Sequence, residues 1–149
     1  MKMPKEIREQ FRRHGRDGGQ ARAERMSSAA RRAVARRAAT TRWIRERFGA
    51  SSFEALGLPG GEIIDTGLAD LAAEKATEES LLVSLAASRL RREGVPIGQV
   101  HSDPEDRLYE LLSRSSDLAH ARYGAYLRQA ASFADACHVA RIDRRENAR

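Results

Sequence analysis

At 149 residues, 5% of them aromatic and 32% charged, the chain has room for one compact domain and an arm, with few side chains to build a core. The net charge of +6 is unevenly divided: residues 1–47 hold 15 Lys+Arg and 5 Asp+Glu, residues 48–149 hold 12 and 16, so a leading third at +10 is joined to a remainder at −4. No apolar run of about 18 residues exists to span a membrane and the basic start lacks the apolar centre of a signal peptide, while a single cysteine, Cys137, excludes an internal disulfide and points to a reducing cytoplasm.

Residues 4–14 predict a short helix. Pro4 suits its first turn, Ile7 and Phe11 share a face, and Gly15 is the expected stop. Gly18 and Gly19 predict a second break, with two helical turns from Gln20 to Met26. Ser27 or Ser28 is the expected N-cap of a longer helix rich in alanine and arginine, running to about Phe48. In that helix Ala30, Val34, Arg37, Thr41, Ile44 and Phe48 form a seam that would pack on another helix, in this chain or in a second copy as a homodimer. Arg32, Arg36, Trp43 and Arg47 form another face. Arginines engage phosphates bidentately, and a tryptophan among them can stack or wedge. The expected contacts to nucleic acid, or to an anionic partner, are therefore Arg16, Arg22, Arg25, Arg31, Arg32, Arg36, Arg37, Arg42, Trp43 and Arg47. The alternative is a solvated basic helix with Trp43 folded onto the rest of the chain.

The order G-R-x-G-G-x-A-R-A, then S-x-x-x-R, then A-R-x-A-A-x-x-R-W resembles a basic cassette of small bacterial antitoxin-like and regulatory proteins. Here it comprises Gly15, Arg16, Gly18, Gly19, Ala21, Arg22, Ala23, Ser28, Arg32, Ala35, Arg36, Ala38, Ala39, Arg42 and Trp43. The resemblance covers under a third of the chain. It implies a DNA-binding transcription regulator with a protein toxin as partner, of the nucleotidyltransferase kind. After Ser28 the chain has Ala29 and Ala30, where such cassettes often carry Pro and Glu, so the helix start lacks an acidic residue.

Gly49, Gly57, Pro59, Gly60 and Gly61 mark residues 49–61 as a hinge, with Ser51 or Ser52 capping a short turn that holds Phe53 and Leu56. The body, 62–141, reads as a small helical bundle. Glu62–Lys75 is one helix, interrupted at Gly67. Thr77 caps the next, with Leu81, Leu82, Leu85, Ala86 and Leu90 on its stripe, and Gly94 and Pro96 end it. Ser102-Asp103-Pro104 opens a helix carrying Leu108, Leu111 and Leu112. After a break at 113–117, Ser116 caps the last helix, whose stripe is Ala119, Tyr123, Tyr126, Ala130, Phe133 and Cys137. The short turn between the last two predicts an antiparallel hairpin, and 142–149 reads as a frayed tail. No alternation of period two is present, so the expected class is all-α: a basic N-terminal helical arm, 1–48, and a C-terminal bundle.

No spacing suits a metal, a P-loop or a dinucleotide, so no cofactor is expected. Cys137 beside His138 reads as a core thiol next to a surface imidazole. Arg114 and His120 resemble the Arg-x4–6-His motif of the all-helical HEPN ribonucleases, with Ser115 where that family commonly has Asn, Asp or His. That resemblance implies a general acid/base at His120 and charge stabilisation by Arg114. Three readings follow. The leading one is a non-catalytic antitoxin-like regulator that binds DNA, or RNA, through the arm and a toxin by direct contact. The others are a HEPN-like ribonuclease and a ribonucleoprotein component.

Overall fold

The computed structural model describes residues 4–147, without the side chains at 142, 144 and 146. The fold is all-α: α1 (Lys5–Arg25), α2 (Ser28–Phe48), α3 (Gly61–Ala72), α4 (Glu78–Arg92), α5 (Pro104–Ser115) and α6 (Ala119–Asn147), with no strand among the described residues.

The expected stop at Gly15 and break at Gly18-Gly19 are absent, and α1 runs through all three. Glycine lowers helix stability by about 1 kcal/mol relative to alanine without forbidding helical φ and ψ. A break needs a positive φ or a lost hydrogen bond, and none of the three has a positive φ. No residue of α1 is buried. Its chain turns at Met26, and Ser27 caps α2 by accepting a hydrogen bond from the Ala30 N–H at 3.1 Å. Ser27 is thus one of the two expected caps, and the first turn of α2 carries no acidic residue. At the far end Gly49 has φ 81° and donates its N–H to the Arg45 carbonyl, the left-handed stop that a glycine permits.

Only the later turns of α2 bury side chains against the body. Ile44 and Phe48 are buried, but Val34 is 57% exposed and Arg37 faces solvent, so the expected seam is realised only at its C-terminal end. The rest of the contact is aromatic. Trp43 meets Phe48 edge-on at 5.6 Å and Phe53 at 6.4 Å, Phe48 meets Phe53 at 5.9 Å, and Phe53 meets Phe133 of α6 at 4.8 Å. Phe53 is fully buried. The Asp65 carboxylate of α3 accepts from the Phe53 and Glu54 N–H groups at 3.1 and 2.9 Å. Ser52 caps the short turn by accepting from Ala55 N–H. Residues 49–61 therefore contribute a central core side chain.

Helix α4 is the axis of the body. Ser80, Leu81, Leu82, Val83, Ser84, Ala87 and Leu90 are buried, a wider arc than the predicted stripe, because α3 packs on one side and α5 and α6 on another. Thr77 caps it as expected: its hydroxyl accepts from Ser80 N–H, and Ser80 Oγ accepts from Thr77 N–H. The predicted interruption at Gly67 is absent. A Cβ there would lie 2.4 Å from the Glu79 carbonyl oxygen, so this glycine is where α3 and α4 come closest. The α6 stripe is buried at Ala119, Ala130, Phe133 and Cys137, with Tyr123 and Tyr126 half-buried. Contacts of Tyr123 with Tyr109 and Glu105 set α5 and α6 antiparallel. α6 continues beyond Arg141 to Asn147, so the expected tail is helical as far as it is described.

Candidate nucleic-acid interface

Packing α2 through Ile44 and Phe48 fixes what the opposite side presents. Arg31, Ala35, Ala38, Arg42 and Arg45 step by four, three, four and three residues, all are exposed, and they lie across the helix from the buried pair. Alanines keep the ridge between these arginines low, so three guanidinium groups stand out from one line.

The structure sorts the arginines expected to bind. Arg31 and Arg42 belong to the outward line; Arg37 is exposed on the side of Ile44 and Phe48, where it lines a cleft with Ser52, Asp65 and Leu68, and Arg32 is exposed one turn before Arg36. Arg36 and Arg47 lie toward the body. Arg36 donates to the Ala72 carbonyl at 3.4 Å and lies 3.6 Å from the Glu74 carboxylate, while Arg47 is close enough to Cys137 to act on its thiol electrostatically. Trp43 is half-buried, and its ring belongs to the aromatic cluster with Phe48 and Phe53. Arg16, Arg22 and Arg25 are exposed on α1. Arg45 was missed by the sequence reading. The signal that finds it is its four-three spacing from Arg31 and Arg42, legible once Ile44 and Phe48 fix the buried side.

Among the described residues, Arg36 is the one arginine of the expected set that reaches a carboxylate. Arg31 reaches back to the Ala23 carbonyl at 3.5 Å, spanning the joint between α1 and α2. Internal carboxylates are instead matched within the body: Arg89 with Asp135, Arg122 with Glu78, and Arg141 with Glu93. Tyr126 donates to the same Glu78 at 2.8 Å, and burial together with that carboxylate pushes its hydroxyl up to about 12.

The remaining chemistry sits elsewhere. Arg114 pairs with Glu110 one turn back in α5. His120 is exposed and lines an open cleft of about 540 Å³ with Glu105, Asp106, Tyr109, Glu110 and Tyr123. An acidic lining of this kind repels a phosphodiester. Among the described residues no three His, Cys, Asp or Glu side chains are grouped to hold a metal ion. No helix of the described residues is long and apolar enough to cross a membrane.

Cys137 is fully buried beside His138, whose ring is half exposed and lies 3.1 Å from Glu93. Burial, then the Glu93 charge, pushes the thiol up to about 11. The thiolate is the reactive form, so Cys137 is expected to resist thiol-specific reagents at pH 8 and to react once denaturant unfolds the chain. The folded state holds this proton at pH values where the unfolded chain has released it. The contribution to stability is therefore present below the unfolded pKa and declines as pH rises toward 11. Reaction with a chromogenic disulfide at pH 8, with and without denaturant, checks the first expectation.

No family model, no curated protein and no solved structure matches the chain.

Proposed function

We propose that the protein is a non-catalytic regulator of the antitoxin type that binds DNA through its basic arm. The observation that supports this most directly is the outward line Arg31–Arg42–Arg45, held on the solvent side of α2 and joined to no carboxylate of the chain among the described residues. Exposed arginines in a row serve to neutralise a row of external phosphates. The same line disfavours a homodimer through the outer face of α2, because arginines of the two copies would face one another. The protein toxin, of the nucleotidyltransferase kind, rests on the resemblance of the cassette alone. The body is the part left to hold it.

The test is fluorescence anisotropy of a labelled DNA duplex titrated with the full chain over a range of salt. Neutralising phosphates releases counterions, so log K falls with log salt at about 0.9 per phosphate engaged. A steep negative slope is expected. Absence of binding at low salt, or binding that salt leaves unchanged, overturns the proposal. Preference for an RNA duplex would move the reading to the ribonucleoprotein alternative.

A further inference from the structure

Between α2 and the body runs an open groove in two lobes, of about 250 and 280 Å³. Arg36, Leu71 and Gln99 line both, so the lobes join. Leu68, Leu71 and Ile97 make the first lobe apolar, while Glu74 and His101 make the second polar. One wall is pinned: Arg91 donates to the Ile97 and Gly98 carbonyls at 3.2 and 2.6 Å, and the His101 N–H donates to Ser84 Oγ at 3.2 Å. The opposite wall is the stretch of α2 before Ile44, which buries no side chain. Sites for small molecules have this character, an apolar hollow of about 300–1,000 Å³ with a few polar groups at fixed places.

Arg36 stands where the lobes meet. Its contacts to the Ala72 carbonyl and to Glu74 are both made by Nη1, and both are long, at 3.4 and 3.6 Å. Nε and Nη2 have no partner among the described residues, and the side chain is half exposed. Those two atoms form an edge of the guanidinium that can hold a carboxylate by two parallel hydrogen bonds. Arg36 also bridges α2 to the end of α3, which bars a passing helix or strand and leaves space for a small molecule. A doubly charged phosphate suits the place less well than a carboxylate, because Glu74 repels it more strongly.

We infer that this groove binds a small organic carboxylate, its charged end on Nε and Nη2 of Arg36 and its apolar body over Leu68, Leu71 and Ile97. The ligand would touch both the arm and the bundle. The inference does not rest on the DNA reading, since Arg36 lies on the body side of α2, away from Arg31, Arg42 and Arg45.

The experiment titrates the full chain with 1-naphthaleneacetate and follows, by NMR, the backbone amides of Gly98 and Gln99 and the Arg36 Nε–Hε signal. These signals are expected to move together and to saturate. The uncharged 1-naphthaleneacetamide should bind roughly tenfold or more weakly, the effect of losing a charge-assisted hydrogen bond, and Arg36→Gln should weaken the acid to the same degree. Glu74→Gln removes a neighbouring like charge and should tighten it. Both side chains are exposed, so neither variant should unfold the chain. Equal binding of acid and amide, an R36Q chain that binds like wild type, or weaker binding by E74Q would each overturn the carboxylate. No movement of these signals up to the solubility limit of the probe would overturn the groove as a ligand site, and sedimentation at the same concentration would then show whether a second copy of the chain covers it. None of these outcomes bears on DNA binding.

Discussion

Replacing Arg31, Arg42 and Arg45 together with alanine is expected to abolish most DNA binding without unfolding the protein. Each exposed cation facing an anionic surface contributes roughly 1 kcal/mol, so three removed give about a hundredfold loss at low salt. The salt slope should fall by roughly 2.7, at about 0.9 per phosphate. Stability should move by only about 0.5 kcal/mol, because all three side chains are exposed and α2 is held by Ile44, Phe48 and Trp43 on its other side. Circular dichroism melts alongside anisotropy titrations check both halves. A control at Arg36 separates the two sides of the helix. Its guanidinium is held by the Ala72 carbonyl and Glu74, so Arg36→Ala should cost little binding. Equal losses from Arg36 and from the outward three would mean that charge alone matters and their placement does not.

The second large effect is on folding. Phe53→Ala is expected to destabilise the chain by about 3–5 kcal/mol, the range for truncating a buried phenylalanine. Phe53 is fully buried between Phe48 of α2 and Phe133 of α6, so its loss opens a cavity where the arm joins the body. Gly67→Ala should be damaging for the opposite reason. Its Cβ would meet the Glu79 carbonyl at 2.4 Å and Val83 Cγ2 at 2.6 Å, and the first of these is backbone that can yield only if α3 and α4 separate. Overpacking costs about 1–3 kcal/mol, occasionally more. Urea denaturation of each variant measures the change. A Gly67→Ala protein as stable as wild type would mean that α3 and α4 do not approach this closely.

Glycine by itself does not mark where a helix of this chain ends. Gly15, Gly18 and Gly19 read as breaks because glycine commonly ends helices, yet a residue type does not reveal its φ, and all three keep helical backbone. Gly67 read as an interruption, when it is the contact that lets two helices touch. Contact partners distant in sequence leave no local trace. The stripes of α4 and α6 were legible because burial on one side imposes a three-four period on any helix. The arm was harder. Val34 and Ile44 belong to one heptad-like seam, but only the C-terminal part of α2 has the body beneath it, so Val34 is exposed and Ile44 is not. Trp43 reads from its helix face as a nucleic-acid contact, with the core as the alternative, and tertiary packing places it against Phe48 and Phe53. For the same reason Arg45 joins Arg31 and Arg42 only through the burial of Ile44 and Phe48, which sequence spacing alone does not show.

The central claim is that the outward arginines of α2 meet a polyanion outside their own fold. Following individual arginine side-chain Nε–Hε resonances by NMR while a DNA duplex is added tests it most directly. The signals of Arg31, Arg42 and Arg45 should shift in proportion to bound duplex, with Arg89 and Arg122, paired to Asp135 and Glu78 in the body, left unmoved. Stationary signals from the three α2 arginines at saturating duplex would contradict the account.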